Sequence, residues 1–349
     1  MTASQPLDPM NPFVPFHNPP EHADPFRTLS ACTSMNHYLD QPPTLQVDKL
    51  SLVRCDPSPA NAIKTCDRLI KAFESGQFPG AKLKSGRRYR IQLAIPILDN
   101  GSLTGRLLIQ AGPRFTGLPE SRVEFNPAVL GITGVDRVLE IIDTLFIEGS
   151  HHLLRNSFIT RIDLALDHHG LSVAEVLTLS SRQRVHGIFS NQHGIPDTIY
   201  LGKPKSNQTV IYNKKNNDGP LLRVERRIHP KCRGSQLEFL PDPFQVVKMV
   251  HTDALVPLLG GMIPNQFFDS VRVRGLTHVL ATLLPAQRRA IKAVIKDPAQ
   301  SRLPSTSEIW RDWPQLLRTS GLGVFLQNIA DAAPIAPELM TSPVEVTEQ

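Results

Sequence analysis

Cysteine is scarce, and the four thiols (Cys32, Cys55, Cys66, Cys232) lie far apart, with no CxxC pair and no histidine at ligand spacing. A structural zinc site and a disulfide framework are therefore not indicated, and the reading is of reduced thiols in a cytoplasmic protein. No run of 18 apolar residues occurs, and the N-terminus lacks the charged-then-apolar order of a signal segment, so no membrane partner is expected. Nucleotide binding through a Walker or dinucleotide spacing is unsupported, and GxSxG is absent. Two histidines flanking one apolar residue on a strand, the metal-holding pattern of HUH nucleases, are missing as well. His151-His152 and His168-His169 are adjacent pairs, and neighbours on a strand point opposite ways.

What is present is focused charge. The 349 residues carry a formal net charge of +6. Between Lys203 and Arg233 nine Lys/Arg (Lys203, Lys205, Lys214, Lys215, Arg223, Arg226, Arg227, Lys231, Arg233) face two acids, a surplus larger than that of the whole chain. Such a segment suits a phosphate-contacting surface, and several of its cations are expected on DNA, with affinity falling steeply as salt rises. Within it, three short β-type runs carry one phenol, Tyr212 in Ile211-Tyr-Asn-Lys-Lys215, and one acid, Glu225 in Leu222-Arg-Val-Glu-Arg-Arg227. A tyrosine beside cations and a metal-binding acid is what strand transfer on DNA requires: the phenolate attacks phosphorus, cations hold phosphates, and a divalent metal polarises the scissile group. A basic hairpin that grips phosphate and does no chemistry is the alternative.

The patterning predicts an α+β fold: two similar antiparallel-sheet/helix halves forming a core, a helical C-terminal extension and a disordered proline-rich N-terminal arm. Residues 1–43 form that arm, nine prolines falling within the first 45 positions. Residues 44–150 make the first half, with strands at 45–53, 87–95, 105–111 and 121–125, a helix over 59–75 and another over 134–146. Residues 151–240 repeat the plan and hold the site, with strands at 158–167, 198–201, 209–213 and 221–228 and a helix near 172–179. The last strand of each half carries Arg-Val-Glu, Arg122-Val-Glu124 and Arg223-Val-Glu225, a hint of internal duplication. Residues 241–333 read as helical (244–251, 276–283, 285–295 and 308–319), with Arg288, Arg289, Lys292 and Lys296 on one helix edge. Residues 334–349 are a tail.

Asp163 and Asp167 share a strand face about 13 Å apart, too far to hold one ion together without a bulge. Asp163, mid-strand, and Glu225 are the preferred ligands for Mg²⁺ or Mn²⁺, which take hard oxygen donors. Pairing of either acid with a neighbouring arginine is the competing structural role. His168 or His169 reaches the site only from the end of its strand. The Gly202-Lys-Pro-Lys-Ser206 turn suits a phosphate.

Five pieces in order, Arg122-Val-Glu-Phe-Asn-Pro127, Arg161-Ile-Asp-Leu-Ala-Leu-Asp167, Thr198-Ile-Tyr-Leu-Gly202 with Ser206, Ile211-Tyr-Asn-Lys-Lys215 and Leu222-Arg-Val-Glu-Arg226, resemble the rolling-circle replication initiators of plasmids and filamentous-type phages, the Rep_trans family. The resemblance spans about a third of the chain and omits the arm and the C-terminal third. It implies a sequence-specific nickase and strand transferase: the protein binds a double-stranded origin, cuts one strand with a tyrosine that stays on the 5′ phosphate, and handles single-stranded DNA. A host helicase and a second copy of the chain are possible further partners. On that resemblance Tyr212 is the nucleophile, Asp163 and Glu225 the metal acids, and Lys214 a stabiliser of pentacoordinate charge. Lys203, Lys205, Lys215, Arg223, Arg226 and Arg227 are the expected DNA contacts. Asn216-Asn217 stands where an acid often follows the Tyr-x-Lys segment. That leaves open a weakened or differently built metal site, or an initiator that binds without cutting. A site-specific relaxase or recombinase, using similar chemistry on a different DNA target, is a third reading.

Overall fold

Alternation of branched apolar and polar side chains sets the strands. In the computed structural model, which describes residues 42–54, 59–99, 101–180, 185–203, 205–297, 303 and 306–326, Leu45, Val47, Leu50 and Leu52 all face the core from β1 (Thr44–Arg54). They can do so because the register shifts by one residue between Val47 and Lys49, a bulge that restores the inward face for the second pair. The arm, the tail, Cys32 and Cys55 lie outside the described residues.

The remaining strands are β2 (Lys82–Lys84), β3 (Tyr89–Asp99), β4 (Ser102–Pro113), β5 (Ser121–Phe125), β6 (Phe158–His169), β7 (Val176–Ser180), β8 (Val185–Ser190), β9 (Pro196–Leu201), β10 (Gln208–Asn213), β11 (Leu221–Ile228), β12 (Cys232–Arg233) and β13 (Val247–His251). All but β7 and β13 join one antiparallel sheet in the order β2-β3-β4-β5-β1-β6-β11-β10-β9-β8, with β12 added beside β6. The two expected halves are therefore the wings of a single sheet, joined where β1 pairs with β6.

The order reads alike from both ends. About an axis between β1 and β6, β5 corresponds to β11, β4 to β10, β3 to β9 and β2 to β8. Registers agree as well. Gln110 and Leu108 lie opposite Arg122 and Glu124 as Tyr212 and Val210 lie opposite Arg223 and Glu225. Gln92 lies opposite Gln110 as Thr198 lies opposite Tyr212. The twin Arg-Val-Glu tripeptides occupy equivalent positions.

One face of the sheet is apolar. In the first wing, α1 (Pro59–Glu74) and α2 (Pro127–Leu145) cover it, Leu69, Val135, Val138 and Ile142 packing on Leu93, Ile95, Leu107 and Ile109. Each such fully buried side chain contributes about 1.5–3 kcal/mol. Asn126 caps α2 by accepting the Val129 N–H at 3.1 Å, Pro127 starts it, and the helix kinks at Gly131, whose φ of 65° suits glycine. The short α3 (Gly149–Asn156) leads into β6. In the second wing the same face packs on Val173, Val176, Leu237 and Phe244.

Two helix expectations are corrected. Residues 172–179 form one 3-10 turn followed by β7, and residues 247–251 form β13, its antiparallel partner. This ribbon carries α4 (Pro264–Arg274), α5 (Leu276–Ala281) and α6 (Pro285–Lys296) on a separate small core of Leu177, Val250, Phe267, Phe268, Leu280 and Ile291. The expected helix over 308–319 is split into α7 (Thr306–Trp310) and α8 (Trp313–Thr319). Trp313, Leu317 and Phe325 return to the main core. No helix among the described residues is long and apolar enough to cross a membrane.

Candidate functional site

The opposite face of the sheet is polar, and every sequence-predicted acid and the phenol fall on it. From β6 it receives Arg161, Asp163, Ala165 and Asp167, and from β11 Arg223, Glu225 and Arg227. From β10 it receives Gln208, Val210 and Tyr212, and from β9 Thr198 and Tyr200. Asp163 lies opposite Arg227, Glu225 opposite Ala165 and Val210, and Arg223 between Asp167 and Tyr212. Tyr212 and Glu225 are diagonal neighbours, as are Asp163 and Glu225, placing each pair of Cβ atoms roughly 7–8 Å apart.

Tyr212 is half-buried. Burial raises its pKa above the ordinary tyrosine value and the charge of Glu225 adds to the rise. Arg223, by its charge and its hydrogen bond with the phenol, pulls the other way without reversing it. The phenol is thus protonated at neutral pH, and attack on phosphorus requires loss of that proton in the step itself.

The carboxylates are closed by guanidinium groups. Arg161 donates to both oxygens of Asp163 (2.8 and 2.6 Å) from two residues back on the same strand face. Arg227 Nε donates to Glu225 Oε1 at 2.7 Å. Asp167 accepts Arg223 Nε and Nη2 at 2.6 and 2.8 Å, with Lys214 Nζ at 3.5 Å. Burial by itself lowers the pKa of Arg223, but the paired bonds to Asp167 carry it above the usual arginine value. In the first wing Glu124 takes Lys49 at 2.6 Å and Arg122 at 2.7 Å.

Asp163 and Glu225 offer the hard oxygen donors that Mg²⁺ or Mn²⁺ takes. Their setting does not match: they are only 3% and 4% exposed, each already holds an arginine, and they stand diagonally across two strands. Among the described residues no group of three or more His, Cys, Asp or Glu is arranged to hold a metal ion. As they stand these residues do not fit a divalent cation.

The expected DNA contacts separate. Arg226 alternates with Glu225 and falls on the apolar face, buried, donating to Pro243 O at 2.9 Å and to Thr209 Oγ1. Burial pushes its pKa down to about 10. It is a core arginine and does not reach a phosphate. Arg223 is also buried, its fork taken by Asp167, with Asp48 and Gln46 at 3.4 and 3.3 Å. Arg227 keeps about a third of its side chain in solvent. Lys203 and Lys205 are exposed in the β9–β10 turn, before Gln208, which is itself four residue steps, about 13 Å, along β10 from Tyr212. Lys214 and Lys215 begin the β10–β11 turn at the Tyr212 end, Lys215 exposed. The nine cations that are contiguous in sequence thus serve several places.

His168 sits on the apolar side of β6, opposite Leu222, and is buried with no hydrogen-bond partner at Nε2. Burial lowers its pKa to about 4. It does not reach the phenol's face.

Sequence reading missed an aromatic pair. Phe189 of β8 lies opposite Thr198, itself opposite Tyr212, and its ring meets that of Tyr200 edge-on at 5.7 Å. Phe189 is 61% exposed. The only signal was the apolar content of residues 185–190, whose register depends on β9. Exposed rings beside arginines form a surface on which bases stack.

No protein-family model matches the chain, and no curated protein does. Among solved structures the chain is weakly similar to the di-domain aromatase/cyclase StfQ of the steffimycin biosynthetic pathway, at 12% identity over 73% of this chain and 99% of that one. The TM-score is 0.14, too low to carry an argument about fold or activity.

Proposed function

We propose that the chain is a rolling-circle replication initiator that binds an origin, nicks one DNA strand and holds it through a phosphotyrosine bond at Tyr212. The observation that carries this reading is a half-buried phenol on a polar sheet face, opposite Arg223 and in one cross-strand row with an exposed aromatic ring, with Lys214 and Lys215 following it in the chain. Lys214 and Lys215 offer cations to phosphate oxygens at the Tyr212 end of the sheet, and Phe189 with Tyr200 offers stacking surface to the flanking base.

In the step itself the Tyr212 oxygen forms a bond to phosphorus while the bond from phosphorus to the 3′ oxygen breaks. The phenolic proton leaves, and the departing 3′ oxygen takes one from water. Glu225, whose charge is felt at the phenol, is the candidate acceptor. Lys214 stands two residues beyond Tyr212 and offsets charge on the pentacoordinate phosphorus. Reversal by another strand's 3′ hydroxyl restores the phenol and closes a circle.

A second reading, an origin binder that does not cut, is favoured by one specific observation: Asp163 and Glu225 are both closed by arginines. The deciding experiment incubates the purified chain with a supercoiled plasmid carrying its own gene neighbourhood, with and without Mg²⁺ or Mn²⁺. Open-circle product and a protein–DNA adduct on denaturing gels are expected for the wild type. Tyr212→Phe is expected to lose both while retaining binding. Cutting by Tyr212→Phe at the wild-type rate removes Tyr212 as nucleophile, and adduct mapping to Tyr200 reassigns it. A wild type that binds the plasmid and never cuts supports the second reading.

A further inference from the structure

The pseudo-twofold correspondence of the two wings gives the Tyr212 site a mate in the first wing. Arg122 and Glu124 stand for Arg223 and Glu225, Gln110 for Tyr212, Gln92 for Thr198 and Ala94 for Tyr200. Across the central pair, Lys49 lies directly opposite Asp163, so an ammonium takes the place of the acid. The mate site thus keeps the arginine and loses both the phenol and the second carboxylate. An amide and an ammonium cannot form an ester with phosphorus as a phenol does, but both bind phosphate oxygens.

Its surroundings are cationic. On the polar face between β2 and β5 the described residues place Lys82, Lys84, Arg106 and Arg122 beside Glu124, which Lys49 and Arg122 already neutralise. Lys82, Lys84 and Arg106 are all exposed. Between them lies a hollow of about 420 Å³. Its floor is Ala94, Pro96, Leu98 and Leu103, with Lys82 and Arg106 on opposite sides of β3 at its rim. Leu98 and Leu103 are 50% and 55% exposed, unusual for leucines on a charged face. An apolar floor between two cations matches an unpaired nucleobase between its flanking phosphates. A paired base, stacked inside a duplex, cannot enter such a hollow.

We infer that the first wing is a second, non-cutting site for single-stranded nucleic acid, with an unpaired base over Pro96, Leu98 and Leu103 and its phosphates on Lys82 and Arg106. This rests on the reading that the polar face takes nucleic acid, and it is independent of whether Tyr212 cuts.

The test uses the full chain and a fluorescein-labelled oligothymidylate, followed by anisotropy at several NaCl concentrations. Lys82→Ala with Arg106→Ala is expected to weaken binding about 25-fold near 0.1 M salt and to lower the log–log salt slope by about 1.4, from roughly 0.7 per phosphate contact on a single strand. Lys82→Arg with Arg106→Lys is expected to keep affinity and slope. Leu98→Ser with Leu103→Ser is expected to weaken binding at unchanged slope, because a base contact releases no counterion. Denaturation midpoints equal to wild type check that each variant is folded. Wild-type affinity and slope in the double alanine variant overturn the inference. Equal binding of oligothymidylate and polyglutamate by the wild type also overturns it, since that reads charge alone. Tyr212→Phe is expected to bind the oligonucleotide normally, so loss of cutting and loss of holding separate the two proposals.

Discussion

Asp167→Asn is the substitution for which the polar face makes its firmest energetic statement. Asp167 is buried and takes two short bonds from Arg223, while the other partners of that arginine, Asp48 and Gln46, stand at 3.3–3.4 Å. An amide at 167 keeps the shape and removes the charge, stranding a guanidinium with long contacts. Breaking a buried pair from one side costs about 3–5 kcal/mol, and the residual help from Asp48 places this variant near 3. Arg223→Met is expected to cost less, because the partly exposed Lys214, already 3.5 Å from Asp167, can turn inward. Replacing both, Asp167→Leu with Arg223→Met, is expected to recover most of the loss, since a packed apolar pair avoids desolvating two charges. Urea unfolding read by far-UV circular dichroism and by Trp310/Trp313 fluorescence measures all three, at unchanged m-value. A loss below about 1 kcal/mol for Asp167→Asn, or the reverse ordering of the single variants, refutes the account of this pair as the anchor beneath Tyr212.

Other outcomes follow from the same geometry. Arg226→Ala is expected to lower stability by about 2–4 kcal/mol, stranding Pro243 O and Thr209 Oγ1, and to leave the salt slope of DNA binding untouched; a reduced slope returns Arg226 to the DNA face. Lys203→Ala with Lys205→Ala is expected to lower the duplex salt slope by about 1.8 without a change in stability, and an unchanged slope means that the exposed turn does not touch phosphate. His168, depressed from 6.5 to about 4 by burial, takes up its proton first in the unfolded chain. Stability is therefore intact above about pH 6.5 and falls as pH drops toward 4, by on the order of 3 kcal/mol from this group. His168→Phe is expected to flatten that slope, and urea midpoints from pH 4 to 7 that superimpose for the two proteins exclude the effect.

Most of the strands were legible because their signal is local. The alternation in residues 158–167 and 221–228 gives strand and face at once. What escaped depends on distant partners. Ser172 and Glu175 do form the reciprocal cap that opens a helix, the Glu175 carboxylate accepting the Ser172 N–H and O–H at 2.8 Å each. Yet Val176 to Ser180 pair with Val247 to His251, about seventy positions away, and that pairing wins over helix propagation. Joining of the halves into one sheet likewise depends on β1 meeting β6 over more than a hundred residues. At the site, parity in Arg223-Val-Glu-Arg-Arg227 was enough to send Arg226 inward and Arg227 outward, and counting charge along the segment hid it. Arg161, two before Asp163 on the same face, already foretold an ion pair. Phe189 beside Tyr200 was beyond reach, since only the register of β8 on β9 brings the rings together.

Because each wing repeats the other strand for strand, the first wing holds a blank of the proposed Tyr212 site. Gln110 faces Arg122 as Tyr212 faces Arg223, so on the proposed chemistry a phenol written into that blank, with an acid at position 49, is expected to give one polypeptide a pair of attacking groups. Counting adducts per chain then reads directly how much of the chemistry belongs to the scaffold and how much to a handful of side chains.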